Sequence, residues 1–256
     1  MNLLIIDIGN SVCKCAVMNG GNAPLEIERF QHDEILQGTD FQGAMGALIR
    51  KYDVADAVLC SVVPELDPRV KELLPLEFDR ISAVSVSKVH WFDLQYDSPL
   101  SLGADRLANV IAARELLAAP CVAIDFGTAT TTSVIDAGGA FVGGSIGVGV
   151  RSAYRALHEF TSQLPMLQPE PAAPALGKDS EGSIHAGVLH AHKHAVMGLV
   201  REYSEKHGEL QVICTGGNME IMRDLLPGNW TFDPHLLMQG AYFFGMRQIN
   251  DSAPLL

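Results

Sequence analysis

Asp7-Ile-Gly-Asn-Ser11 and Asp125-Phe-Gly-Thr-Ala-Thr-Thr-Thr132 decide how this chain folds. Each follows a short apolar run, LLIID at residues 3–7 and CVAID at 121–125, and each is followed by strand-like sequence, 12–18 and 130–136. A Gly-rich turn comes next in both, Asn19-Gly-Gly-Asn22 and Ala137-Gly-Gly139, and then a third strand, 25–30 and 140–144. The shared plan is strand, Asp-x-Gly turn, strand, Gly-rich turn, strand. The two aspartates stand 118 positions apart in 256 residues, close to half the chain. Such an internal duplication sets the architecture. It predicts two similar α/β halves with a cleft between them.

The stretches around these repeats read as ordinary α/β filler. Helices are expected over 41–51, 67–74, 103–118 and 235–249, and strands over 57–63, 81–86 and 209–214. Residues 168–173 (QPEPAA) form a stiff, exposed proline-rich loop. The composition narrows the function classes. Eighteen Lys and Arg against thirty Asp and Glu give a net charge of −12, and no run of basic residues offers a local patch for nucleic acid. The N-terminus lacks a basic n-region and Asp7 breaks its apolar run, so neither a signal peptide nor a membrane anchor is expected. Five scattered cysteines, Cys13, Cys15, Cys60, Cys121 and Cys214, suit a reducing cytoplasm. Cys13 and Cys15 share one strand face, with no second pair to complete a zinc site.

Four segments hold residue types suited to chemistry. In DIGNS, Gly9 lets backbone N–H groups approach a phosphate, Asp7 suits a metal ion or its water, and Lys14 either adds positive charge or points to solvent. A plain hairpin turn is the competing reading. DFGTATTT repeats the same logic, and the pair describes a nucleoside-triphosphate site without the GxxxxGK[ST] of a P-loop. In SLGADRLAN (101–109), Asp105 sits in a helix first turn, where the dipole favours a carboxylate able to act as general base. Arg106 suits an anion; the alternative is a capping Asp beside a surface Arg. VICTGGN (212–218) reads as an adenine site or a turn. Two further patterns are set aside. Gly143-Gly-Ser145-Ile-Gly147 matches the serine-hydrolase elbow but lacks a helix directly after the serine. HAGVLHAHKH (185–194) offers His190 and His194 at i,i+4 but no third ligand, so a solvated helix face is expected.

Taken together, these segments make the chain resemble the type III pantothenate kinases, within the superfamily of sugar kinases and actin-like ATPases. DIGNS, CSVVP (60–64), YDSPLSLGADR (96–106), DFGTATT (125–131), then HEFTSQLP, GKDS (177–180) and TGG occur in the family's order along nearly the whole chain. The resemblance implies two ribonuclease H-like halves, 1–117 with the phosphate turn and base, and 118–256 with the second turn, a cation site and the adenine side. It implies transfer of the ATP γ-phosphoryl group, with Mg²⁺, to the 4′-hydroxyl of pantothenate. Asp105 is then the base. Tyr96, Gly103, Ala104, Asp105, Arg106 and Ser180 bind pantothenate, with Ser180 reaching it from the neighbouring subunit of a homodimer. Asp7, Gly9, Asn10, Ser11, Lys14 and Thr128 hold ATP, and Asp125 binds potassium or ammonium. The sequence departs from the family pattern in two places. Ser180 stands where many relatives have Thr, and Val148 stands where the family's glycine-rich bend has proline. A non-catalytic regulator on the same fold would be expected to lose one of Asp7, Asp105 and Asp125, and all three are present. Another small-molecule kinase of the superfamily would keep both turns but not the GADR segment.

Overall fold

The computed structural model describes residues 1–21, 23–74, 78, 80–171 and 173–251. Asn22 of the first Gly-rich turn, Ala172 of the proline-rich loop and residues 252–256 lie outside them. The chain divides into two compact units. The first comprises 1–91, 97–115 and the C-terminal segment from His235; the second comprises 92–96 and 116–234.

The first unit begins with β1 (Asn2–Ile8), β2 (Cys13–Asn19) and β3 (Glu26–Phe30), continues through α1 (His32–Gln37) and α2 (Thr39–Tyr52) to β4 (Asp56–Ser61), then α3 (Asp67–Leu73), β5 (Arg80–Ala83) and α4 (Ala104–Leu116). The sheet order is β3-β2-β1-β4-β5. β1 pairs antiparallel with β2 and parallel with β4, which is itself parallel to β5. The unbroken apolar run of β1 follows from burial on both faces. Leu4, Ile6 and Ile8 join Phe41, Met45, Leu48 and Val70 in one core. Leu3 meets the last helix on the other face. Side chains alternate along a strand, so Asp7 shares the face of Leu3. β5 ends at Ala83, sooner than the sequence suggests, because its pairing with β4 stops at Leu59.

The second unit runs β6 (Cys121–Phe126), β7 (Ala129–Ile135), β8 (Phe141–Gly143), β9 (Ile146–Val148), α5 (Val150–Glu159), α6 (Ser180–His207), β10 (Gln211–Thr215), α7 (Met219–Arg223) and β11 (Thr231–Phe232). Its sheet order, β11-β10-β6-β7-β8, reproduces the first when each strand is matched to its counterpart. β6 again has an antiparallel hairpin partner on one side and a parallel strand on the other. β9 also pairs with β7, so β8 and β9 are one outer strand interrupted at Gly143-Gly144-Ser145. Gly143 has φ +117, and a side chain on Gly144 would run into the Thr132 backbone. The serine-hydrolase pattern is therefore a strand bend: Ser145 Oγ lies 2.9 Å from Thr132 Oγ1, and the next helix starts only at Val150. Val122, Ile124 and Phe126 pack with Tyr154, Val188 and Leu189 of α5 and α6.

The last helix, α8 (Leu236–Asp251), belongs to the first unit and packs on β1 and β4. Two glycines permit the approach. A Cβ on Gly240 would collide with the Ala108 carbonyl of α4, and one on Gly245 would press on Val58 and Leu3. Gly240→Ala should therefore cost about 1–3 kcal/mol by overpacking, read as a lowered denaturation midpoint. A variant as stable as the parent would contradict this packing.

Candidate active site

Each Asp-x-Gly turn lies at the end of the central strand of its sheet, and in each a distant side chain holds the glycine carbonyl, although the first turn spans residues 9–12 and the second only 127–128. In the first, Gly9 N–H donates to Val12 O at 3.1 Å, and the Gly9 carbonyl accepts from His32 Nε2 at 2.9 Å. In the second, Gly127 N–H donates to Ala129 O at 3.1 Å, and the Gly127 carbonyl accepts from Asn218 Nδ2 at 2.9 Å. A trans peptide holds its C=O and the following N–H in opposite directions. Clamping the two glycine carbonyls thus fixes where the N–H groups of Asn10 and Thr128 point. His32 had no local signal in the sequence; Asn218 closes the VICTGGN segment, but its partner lies 91 residues away, so its role as a clamp on Gly127 was not legible there.

Around the first turn, Asn10 and Ser11 are exposed and Gly9 is half-buried. Asp7 is 6% exposed and pairs with Lys14, Nζ to Oδ2 3.7 Å. The register explains the pair: Lys14 lies directly opposite Asp7 on β2, so both project from one face. Cys60 is the β4 partner of Asp7. Burial, then the negative charges of Asp7 and Asp105, push its thiol pKa well above the ordinary value. The first turn and the GADR segment meet within the first unit through Val62: its N–H donates to Ile8 O at 3.0 Å, and a Cβ on Gly103 would lie 3.8 Å from its Cγ1. Asp105 occupies the first turn of α4 and accepts the Arg106 N–H at 2.7 Å. Its carboxylate folds over Gly103, where a Cβ would come within 2.5 Å of Oδ1. Ala104 opens the helix. Arg106 is 6% exposed, which removes the reading of a surface arginine.

Around the second turn, Thr128 is exposed and Asp125 half-buried. Gly216 of the TGG segment, at φ +97, packs on Asp125. Its Cβ would overlap the Asp125 carboxylate and lie 2.6 Å from Phe126 C. Asn218 N–H also donates to Phe126 O at 2.8 Å. TGGN thus clasps the second phosphate turn. Gly127 and Gly216 approach Asp125 Oδ1 with no side chain of their own between them and it, and Thr215 is its register partner on β10. A carboxylate oxygen is the kind of ligand a hard cation takes.

The other predicted residues fall in the second unit. Tyr96 is half-buried with its ring 5.5 Å from Phe141, on a segment whose backbone bonds Phe141 on both sides. Ser180 is exposed at the start of α6, where Asp179 caps the helix by accepting Gly182 N–H at 2.7 Å. It lines an apolar groove of about 1150 Å³ between α5 and α6, with Phe160, Leu157 and Val188. The α6 histidines correct the expectation of a solvated face: His185 and His192 are buried and only His194 is exposed. Among the described residues no cluster of three His, Cys, Asp or Glu could hold a metal, and all five cysteines are free and buried.

Twin sheets of matching strand order, each with an Asp-x-Gly turn at the end of its central strand, define an actin-like ATPase fold. The fold is shared with the activator of 2-hydroxyisocaproyl-CoA dehydratase from Clostridium difficile, solved with bound ADPNP (TM-score 0.57, 12% identity, 98% of this chain and 97% of that one). Residues 3–202 match the family model of type III pantothenate kinase. The type III pantothenate kinase of Methylacidiphilum infernorum is 30% identical over 95% of this chain and 88% of its own. That of Thermus thermophilus is 30% identical over 93% and 96%. The chain belongs to the type III pantothenate kinase family, and is an ATP-dependent kinase of coenzyme A biosynthesis.

The clamp on the second turn is directly testable. Asn218→Ala strands a buried carbonyl and should weaken ADP binding, measured by calorimetry, roughly tenfold. Unchanged affinity would show that the clamp does not shape the nucleotide turn.

Proposed function

We propose that the clamped turns and the GADR helix carry out the family's reaction on this chain, moving the γ-phosphoryl group of ATP to the 4′-hydroxyl of pantothenate. The observation that supports this most directly is the junction of the two segments: Val62 N–H donates to Ile8 O at 3.0 Å beside the first turn, and a Cβ on Gly103, over which the Asp105 carboxylate folds, would lie 3.8 Å from Val62 Cγ1. Backbone N–H groups and a carboxylate in one neighbourhood are what phosphoryl transfer requires. Asp105 accepts the hydroxyl proton as the P–O bond forms. Backbone N–H groups of the Gly9–Ser11 turn and Lys14 meet the phosphates, and Thr128 holds ATP from the second unit. Gly103, Ala104, Arg106 and Tyr96 bind pantothenate, with Ser180 of a second copy.

Mg²⁺ would arrive with the ATP phosphates and meet one carboxylate, Asp7. The ion would neutralise charge on the transferring group. Asp125 would hold the monovalent cation, potassium or ammonium, beside Gly127 and Gly216. The apolar α5–α6 groove, with Phe160 86% exposed beside it, supports a homodimer that covers it. The chain works in the cytoplasm on this reading, without nucleic acid. Among the described residues no helix is long and apolar enough to cross a membrane.

Purified protein with pantothenate, MgATP and potassium should yield ADP and phosphopantothenate. Asp105→Asn should lower kcat by about a hundredfold or more, and full activity would remove Asp105 as base. Equal activity in cation-free buffer would remove the role of Asp125. Phe160→Glu should convert a dimer to monomer in analytical ultracentrifugation and abolish turnover. An active monomer would refute the shared site.

A further inference from the structure

The α6 histidines share a helix but hold different things. His185 Nδ1 lies 2.9 Å from Tyr154 Oη, and His190 Nε2 3.0 Å from the Ala173 carbonyl. His192 reaches toward the second phosphate turn. It is 9% exposed, with Nδ1 2.9 Å from Val188 O in its own helix and Nε2 2.9 Å from Val148 O in β9.

Val148 sits where pinning matters. In the β7–β9 ladder, bonds run from Thr132 N–H to Ser145 O and from Gly149 N–H to Thr128 O. Antiparallel bonds come at alternate positions, so Val148, opposite Ala129, turns its carbonyl away from β7. All three residues of β9 are exposed. On an outer strand that carbonyl has no ladder partner, and His192 supplies a donor. The next residue, Gly149, lies on the phosphate turn itself. Its N–H donates to Thr128 O at 3.1 Å, and a Cβ on it would overlap the Gly127 and Thr128 carbonyls. Ser152 Oγ donates to the same Thr128 carbonyl at 2.7 Å. A displacement of Val148 thus passes through one peptide to Thr128.

We propose that His192 is a positioning residue for ATP: through Val148 and Gly149 it fixes the Thr128 turn without touching the nucleotide. The role falls to Nε2, since the Nδ1 contact stays within α6. Two amide substitutions separate the nitrogens. The amide of Gln reaches the place of Nε2, and that of Asn reaches only the place of Nδ1. Both keep a polar group in a buried position.

The test is steady-state kinetics on the full-length enzyme. His192→Asn should raise the KM for ATP about tenfold, the effect of one lost hydrogen bond with its acceptor stranded. The KM for pantothenate should change less than twofold. His192→Gln should restore the KM for ATP to within about twofold of the parent. Hydrogen exchange over residues 144–152 reads the same pin without turnover, and should accelerate with Asn but not with Gln. Equal behaviour of the two variants in both measurements, or both KM values rising together, would overturn the proposal. It rests on the Thr128 turn holding ATP, so Gly149→Ala, whose Cβ would overlap the Gly127 and Thr128 carbonyls and displace that turn, belongs in the same series. If that variant leaves the KM for ATP unchanged, the ATP assignment and this inference both fall. If it raises the KM and His192→Asn does not, only the role of His192 fails.

Discussion

A glycine carbonyl held by a distant side chain is the constraint on which both halves of this protein depend. A strand that ends in Asp-x-Gly leaves the sheet with no further ladder to fix its peptides, and glycine offers the widest choice of conformations. Left alone, the turn would be the least ordered part of the sheet. Here the Gly9 carbonyl is held by His32 and the Gly127 carbonyl by Asn218. Each bond sets one peptide plane and so aims the next N–H. The net worth of such a bond is only about 1 kcal/mol. Its value is directional, because groups oriented before a ligand arrives need no reorganisation when it does.

The two halves then diverge by what packs behind the turn. In the first, the strand parallel to β1 sets Cys60 opposite Asp7, and Val62 just beyond it links the turn to the start of the Asp105 helix. A cysteine fits there because it is small and apolar, its thiol pKa raised by burial and then by the charges of Asp7 and Asp105. In the second, the parallel strand brings Thr215 against Asp125, and the segment after it has glycine at φ +97. No side chain could stand there. One half sets a lysine opposite its aspartate; the other packs two glycines, Gly127 and Gly216, against its own. The same sheet plan thereby gives the two aspartates different surroundings, which is what the proposed division of roles between them draws on.

What the sequence made legible was local. The Asp-x-Gly turns, the strands flanking them, Asp105 in a helix first turn and the strand bend at residues 143–145 all follow from residues within a few positions of each other. The clamps do not. His32 lies 23 residues beyond Gly9, Asn218 lies 91 beyond Gly127, and His192 lies 44 beyond Val148. A single histidine or asparagine carries no periodicity that would reveal its partner. The α6 histidines show the cost of reading a helix without its neighbours. Polar residues at helical spacing suggest a wet face, yet His185 and His192 are buried because Tyr154 and the Val148 carbonyl give them hydrogen-bond partners. The C-terminal helix was recognisable as a helix. Its return to the first sheet depends on Gly240 and Gly245 meeting Ala108 and Val58, which only the packed structure brings together.

A net charge of −12 is at first sight a poor match for a polyanionic nucleotide. The match depends on distance. At physiological ionic strength a surface charge is largely screened beyond about 8 Å. In the proposed site the partial charges of oriented N–H groups would act in contact with the phosphates, where there is no room for intervening salt. Lys14 adds a full charge, but it is already engaged by Asp7 and opposes that carboxylate before it opposes any phosphate. The burden therefore falls on backbone dipoles, and these are useful only while their peptide planes are held. On that proposal the residues that matter include several that never meet a ligand. The side chains of His32 and Asn218 each hold one carbonyl, as does His192 in the role proposed for it, and in such a site their effect on a phosphate would be carried by the geometry of the peptide they hold.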